Sequence, residues 1–128
     1  MLSSNKATAT IAVKDLEVSK KFYEQTLGLK VASGNKDSGG ITYDSGGSQV
    51  FIYQSSFAGT NKATYVSWSV GDELDSLVTQ LQGKGVQFEQ YDMPNAKLKG
   101  NIHIMDGMKA AWFKDPDGNI LNLVSLEA

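Results

Sequence analysis

The chain of 128 residues contains no cysteine and no arginine. Without cysteine, disulfides, thiolate nucleophiles and cysteine-bound zinc or iron–sulfur clusters are excluded. Without arginine, carboxylate and phosphate groups lose their usual bidentate partner, which disfavours a strongly anionic substrate. The 12 basic residues are all lysine, against 14 acidic residues, and they form no basic block. Nucleic acid is therefore not an expected partner.

Long apolar runs are also absent. A membrane-spanning helix needs about 20 consecutive apolar residues, and the runs in this sequence are far shorter. The stretch from Met1 to Thr8 has neither the basic nor the apolar part of a signal peptide. We therefore expect a cytoplasmic protein with no membrane partner, and its length suits a single domain.

The sequence contains a weak internal repeat. A shift of 57 residues superposes five positions of one half on the other half: Val13 on Val70, Asp15 on Asp72, Ser19 on Ser76, Gly28 on Gly85, and Leu29 on Val86. Each copy has the same order of predicted elements, namely a strand, a helix that starts at an acidic residue, a glycine, and further strands. The repeat predicts two related halves, each built as strand, helix and two or three strands.

The predicted helices begin at two aspartates. Asp15 and Asp72 are typical N-cap residues, and Gly28 and Gly85 are typical of helix ends. The strands are expected at residues 7–13, 41–43, 48–54, 64–70, 86–91, 109–113 and 120–125. Residues 94–107 are polar and hold the single histidine, and we expect them to be irregular.

Two motifs resemble one known family. The stretch VKDLEVSKKFYEQTLGLKV, residues 13–31, resembles the first helix of the vicinal oxygen chelate superfamily, which includes glyoxalases, bleomycin-resistance proteins and dioxygenases. The stretch WFKDPDGNILNLV, residues 112–124, resembles the final hairpin of that family. With the repeat, the resemblance extends over residues 7–126.

The resemblance implies an α/β (α+β) fold. Two βαβββ modules are expected to form a curved mixed sheet around a cleft, within a single domain of residues 1–128. Module one would cover about 7–56, a linker about 57–63, and module two about 64–126. Superfamily members commonly pair around a twofold axis, so the resemblance also implies a homodimer.

Metal-dependent members of the family carry four ligands, usually histidine and glutamate, on facing strands. The resemblance places the corresponding positions at Thr8, Ile52, Tyr65 and Asn122 in this sequence. None of these residues is histidine or glutamate, and a divalent ion needs several anionic or imidazole ligands. We therefore expect no metal and no cofactor, and a cleft that binds a small molecule.

Strand alternation extends the candidate site. On a strand, residues i and i+2 share a face, so Thr10 accompanies Thr8 and Ser67 accompanies Tyr65. The resemblance places Trp112 on the cleft face as a ligand platform, whereas Trp68 and Phe113 have the opposite parity. Core packing is the alternative interpretation of Trp112. The candidate ligand-binding residues are Thr8, Thr10, Ile52, Tyr65, Ser67, His103, Trp112 and Asn122.

His103 is the only histidine and hence the obvious candidate for a general base. The alternative is an exposed histidine in a loop. Asp44 and Asp106 are candidates to complete a displaced metal site with His103.

Two classes of function follow. The first is metal-independent binding of a small, partly apolar or aromatic molecule, for sequestration or sensing as in bleomycin-resistance proteins. The second is an enzyme, either a glyoxalase-type lyase or isomerase or a dioxygenase-like enzyme, that uses an unorthodox metal site or His103 as the base. A regulatory or interaction module with a vestigial cleft is a third possibility, so the sequence leaves open whether the chain is an enzyme.

Overall fold

The computed structural model describes residues 1–35 and 37–126 and divides the chain into two compact units. The first unit ends at Asn61 and the second begins at Lys62. This boundary falls within the stretch 57–63 that the sequence suggests as a linker. Within the described ranges, no helix is long and apolar enough to cross a membrane.

The first unit has the order of elements βαβββ. Its elements are β1 (Ala9–Val13), α1 (Leu16–Lys21), β2 (Lys30–Asn35), β3 (Gly40–Ser45) and β4 (Ser48–Gln54). The strands lie in the order β1-β4-β3-β2, with β1 parallel to β4 and the other pairs antiparallel. The predicted module architecture is confirmed for this unit.

The helical segment that starts with α1 begins and ends where the sequence predicts. The Asp15 side chain accepts hydrogen bonds from the backbone N–H groups of Glu17 and Val18, at 2.9 and 3.3 Å, so it caps the first turn. The helix continues as a wider π-helical turn over Phe22–Thr26. Gly28 then ends it with a φ of 75°, a conformation that favours glycine.

The second unit repeats this plan with additional short strands. Its elements are β5 (Thr64–Ser69), α2 (Leu74–Gly83), β6 (Phe88–Glu89), β7 (Lys97–Lys99), β8 (Ile102–Met105), β9 (Met108–Lys114) and β10 (Ile120–Leu126). The strands lie in the order β5-β10-β9-β8-β7, with β5 parallel to β10. Strands β6 and β8 pair with the same edge of β9, at different points along it.

Two expectations for the second unit are wrong. A 3₁₀ turn over Gly71–Glu73 precedes α2, so Asp72 lies inside this turn and does not cap the α-helix, which begins at Leu74. Residues 94–107 are not wholly irregular, because β7 and β8 form a hairpin there. Both strands are short, and β8 depends on pairing with β9, which local sequence does not reveal.

Candidate functional site

Strand pairing places several predicted site residues on one face of the second sheet. Trp112 of β9 lies directly opposite Asn122 of β10, and Asn122 lies beside Ser67 of β5. Phe113 pairs with Leu121 and has the opposite parity, as the sequence predicts. Side chains that face each other across neighbouring strands have Cβ atoms roughly 5 Å apart. Trp112, Asn122 and Ser67 therefore form a continuous row.

The turn that joins β9 to β10 is fixed by one buried aspartate. One carboxylate oxygen of Asp115 accepts hydrogen bonds from the backbone N–H groups of Asp117 and Asn119, both at 2.9 Å. The other oxygen accepts a hydrogen bond from Asn119 Nδ2 at 2.8 Å. Because Asp115 is only 5% exposed, these bonds are protected from water, and they set the register that brings Trp112 opposite Asn122.

Three rings on this part of the sheet form what we call the aromatic cluster: Tyr91, His103 and Trp112. The His103 and Trp112 rings meet edge to face, with centroids 4.9 Å apart and planes at 87°. Tyr91 meets Trp112 in the same manner at 5.5 Å and lies 6.0 Å from His103. Such edge contacts are favourable beyond the area that they bury. The structure thus brings together two predicted site residues, His103 and Trp112, and adds Tyr91.

His103 is a buried strand residue and not an exposed loop histidine. It lies on β8 opposite Ala110, which shares a face with Trp112, and it is 1% exposed. Its Nε2 accepts a hydrogen bond of 2.9 Å from the backbone N–H of Tyr91. An N–H group can only donate, so Nε2 carries a lone pair and the neutral ring holds its proton on Nδ1.

The aromatic cluster holds two buried polar atoms that lack a hydrogen-bond partner. Among the described residues, three buried side-chain polar atoms have none, and two of these are His103 Nδ1 and Tyr91 Oη. The third is the hydroxyl of Ser19, in helix α1 of the first unit. Buried polar side chains nearly always have a partner, so two exceptions in one cluster mark it as unusual.

Trp112 is held at its polar end by a residue that sequence reasoning missed. The indole Nε1–H donates a hydrogen bond of 3.1 Å to Thr64 Oγ1. A β-bulge between Ile120 and Leu121 places Thr64 opposite Ile120. Only this bulge, which the sequence does not signal, brings Thr64 to the face of Trp112. The half-buried indole keeps part of its surface accessible.

One ion pair borders the aromatic cluster. Lys114 Nζ lies 3.0 Å from a carboxylate oxygen of Glu89, which pairs with Trp112 across the strands. Burial raises the pKa of Tyr91 above its ordinary value and the charge of Glu89 adds to this, whereas Lys114 opposes it. The Tyr91 hydroxyl therefore keeps its proton at neutral pH and is available as a donor.

The candidates of the first unit lie on its own sheet, and one of them needs correction. Thr10 is exposed and pairs with Phe51, so the two side chains lie on the same face of the sheet. Ile52 pairs with Ile11, is fully buried and lies on the opposite face. Ile52 therefore does not share the face of Thr10, although the sequence analysis expects both residues on the ligand face. Thr8 precedes β1 and lines an open surface depression of about 410 Å³.

The residues at the family's metal positions do not fit a metal ion. Thr8, Tyr65 and Asn122 offer only neutral oxygen or amide groups, and the Asn122 Nδ2 donates to the carbonyl of Leu123 at 3.3 Å. Over residues 1–35 and 37–126, no group of three or more His, Asp or Glu side chains lies close enough to hold a metal ion. A displaced site around His103 thus finds no support, since divalent ions need converging anionic or imidazole ligands.

Comparisons with known proteins agree with the fold. The profile described as the Glyoxalase/Bleomycin resistance protein/Dioxygenase superfamily matches residues 7–123. A comparison with curated protein sequences finds no match.

Several solved structures share the architecture. An integron cassette protein from the mobile metagenome of the Halifax Harbour sewage outfall has 20% identity and a TM-score of 0.72, covering 96% of this chain and 99% of that chain. A glyoxalase/bleomycin resistance protein/dioxygenase from Alicyclobacillus acidocaldarius has 21% identity and a TM-score of 0.71, with 96% and 92% covered. A mutant of the fosfomycin resistance protein FosX from Listeria monocytogenes, complexed with Mn(II) and 1S,2S-dihydroxypropylphosphonic acid, has 17% identity and a TM-score of 0.69, with 96% and 90% covered. At these identities the likeness concerns the fold alone.

Proposed function

We propose that this chain, which belongs to the Glyoxalase/Bleomycin resistance protein/Dioxygenase superfamily, binds a small, partly apolar or aromatic molecule without a metal ion. The observation that carries the proposal is the aromatic cluster with two buried, unpartnered polar atoms, His103 Nδ1 and Tyr91 Oη. An unpaired buried polar group costs about 1–3 kcal/mol. A ligand that supplies the missing partner removes this cost, so the cluster is suited to bind one.

The surroundings of the cluster supply both apolar and polar contacts. The half-buried indole of Trp112 offers a flat platform. Asn122 and Ser67 lie beside it on the same face, and Tyr65 precedes Ser67 by two residues on β5. Ligand sites typically combine such an apolar lining with few polar groups that fix orientation. Thr8, just before strand β1 of the first unit, and Thr10, within it, stay sequence-based predictions as ligand-binding residues.

The proposed binding uses no metal ion, because the side chains at the expected metal positions are poor metal ligands. The FosX relative was solved with Mn(II), but the positions expected to hold a metal in this chain carry no carboxylate and no imidazole. The only imidazole has its Nε2 lone pair occupied by the Tyr91 N–H. We therefore assign binding to side-chain and aromatic contacts only, for sequestration or sensing of the ligand.

The same geometry argues against the enzyme alternative in which His103 is a general base. A base needs a free lone pair that can reach the substrate proton, yet Nε2 is engaged and Nδ1 carries the ring proton. Conversion of a bound compound that is lost in His103→Ala and retained in Tyr91→Phe would favour the enzyme alternative over simple binding.

The test is a screen of metabolites and antibiotics by melting temperature and tryptophan fluorescence. The chain has two tryptophans, and Trp68 pairs with Leu123 on the face away from Trp112. We expect ligands that raise the melting temperature of the wild type and of Trp68→Phe, and a much weaker effect in Trp112→Phe. A ligand effect that Trp112→Phe keeps and Trp68→Phe loses would contradict this placement of the site.

A further inference from the structure

The orientation of the His103 ring is fixed by the protein backbone. The Tyr91 N–H donates to Nε2 at 2.9 Å, and the ring is 1% exposed. Because a backbone N–H can never accept, only the tautomer with the proton on Nδ1 satisfies this bond. His103 therefore presents a neutral N–H donor on its other side, and that donor has no partner among the described residues.

A second donor lies beside the first. The Tyr91 hydroxyl is also buried and has no partner among residues 1–35 and 37–126. The Tyr91 and His103 rings are 6.0 Å apart, and each touches Trp112. Tyr91 belongs to a segment without regular secondary structure, residues 90–93. A movement of its side chain would therefore not disrupt a strand.

The charges around the cluster favour a neutral ligand. Lys114 borders the cluster but is paired with Glu89 at 3.0 Å, so its charge is already engaged and does not balance an anionic ligand. An anion bound without a counter-charge in a buried site pays a large desolvation cost. The same cost does not apply to a neutral carbonyl oxygen, which accepts hydrogen bonds from both donors.

We propose that the ligand class is a neutral aryl carbonyl compound, with its ring against Trp112 and its oxygen accepting hydrogen bonds from His103 Nδ1–H and Tyr91 Oη–H. This inference rests on the proposed binding function and makes it more specific. His103 serves as a fixed donor, and Tyr91 serves both as the second donor and, through its backbone, as the group that holds the His103 tautomer.

Three small probes of similar shape separate the contributions. Acetophenone carries the carbonyl oxygen, α-methylstyrene replaces this oxygen with a methylene group, and benzoate replaces the ketone with an anionic carboxylate. Dissociation constants are measured by NMR from the indole N–H signal of Trp112, assigned with Trp112→Phe. We expect acetophenone to bind about tenfold more tightly than α-methylstyrene, the effect of one or two hydrogen bonds, and more tightly than benzoate.

Two variants test the donors. Tyr91→Phe removes only the hydroxyl and keeps the backbone bond, and His103→Gln keeps an acceptor for the Tyr91 N–H but replaces the fixed ring donor with a flexible amide. In each, we expect the preference for acetophenone over α-methylstyrene to fall to about threefold or less. Tyr43→Phe is the control, because it removes a buried hydroxyl of the first unit and should leave the preference unchanged.

The outcomes distinguish this inference from the function on which it rests. Equal binding of acetophenone and α-methylstyrene at Trp112 would overturn the inference but keep the binding function. Tighter binding of benzoate would overturn the neutral class. No binding of any probe at millimolar concentration would count against both. Nitrogen NMR of labelled His103 gives an independent check, since a proton on Nε2 at neutral pH would overturn the assigned tautomer.

Discussion

Asp115 holds the turn on which the register of the site depends, so its replacement is a direct test. In Asp115→Ala, the backbone N–H groups of Asp117 and Asn119 and the Asn119 side-chain amide all lose their acceptor. Asn119 is completely buried, so water cannot easily replace what is lost. The turn is then expected to loosen at the end of the β9–β10 hairpin.

The magnitude follows from the number and type of bonds. A hydrogen bond to a charged group contributes about 1.5–3 kcal/mol, and an orphaned buried donor costs about 1–3 kcal/mol. Because these terms overlap, we expect Asp115→Ala to lower the free energy of unfolding by about 3–5 kcal/mol. Asp115→Asn keeps one acceptor oxygen but places an NH2 group where the other oxygen accepted a hydrogen bond. It should lower the free energy of unfolding by about 1–3 kcal/mol.

Urea unfolding followed by circular dichroism measures these differences. Asp117→Ala is the matched control, since Asp117 lies in the same turn, is half-buried, and donates to Asp115 through its backbone N–H, which alanine keeps. We expect it to cost less than 1 kcal/mol or so. A cost for Asp115→Ala as small as that of Asp117→Ala would refute the account of the turn.

Three other predictions concern the first unit and the assembly. Burial, and then the hydrogen bond to Glu24 and its charge, raise the pKa of Tyr43 above its ordinary value of 10.0. The unfolded chain therefore loses this proton at lower pH, so the stability due to Tyr43 is complete below about pH 10 and falls above it by up to about 1.4 kcal/mol per pH unit. In Tyr43→Phe, the free energy of unfolding measured in urea at pH 8 to 11 should lack this fall. The same dependence on pH in the variant and the wild type would contradict the role of Tyr43. Ile52→Ala should cost about 2–5 kcal/mol in the same assay because Ile52 is fully buried, whereas exposed Thr10→Ala should cost about 0.5 kcal/mol or less. Equal costs would show that the faces of β1 and β4 are misassigned. Light scattering should give the mass of a homodimer, and a monomer mass at micromolar concentration would count against that proposal.

The parts of the fold that the sequence predicts are those set by local backbone chemistry. Asp15 and Gly28 mark the ends of a helix because a cap and a positive φ are properties of single residues. The Asp115 turn follows from a short run of turn-forming residues. The family resemblance places Trp112, Asn122 and Tyr65 on one face, and strand alternation then adds Ser67, which lies two residues after Tyr65.

The parts that the sequence does not reveal depend on non-local pairing. His103 lies in a strand only because β8 pairs with β9 and β7. The contact of Tyr91 with His103 arises because β6 and β8 share one edge of β9. No sequence motif predicts that these two strands share this edge. The register of β4 against β1 determines whether Phe51 or Ile52 accompanies Thr10, and a difference of one residue reverses the face.

Ligand binding with and without metal, monitored on Trp112 as the sole tryptophan in Trp68→Phe, decides whether the aromatic cluster binds its ligand without a metal ion. Protein purified without a histidine tag is titrated with ligands from the screen, once in excess EDTA and once with added Mn(II). We predict the same change in Trp112 fluorescence and the same dissociation constant in both conditions, since no metal ligands converge in the described part of the chain. Binding that disappears in EDTA and returns with Mn(II) would contradict metal-independent binding at the aromatic cluster.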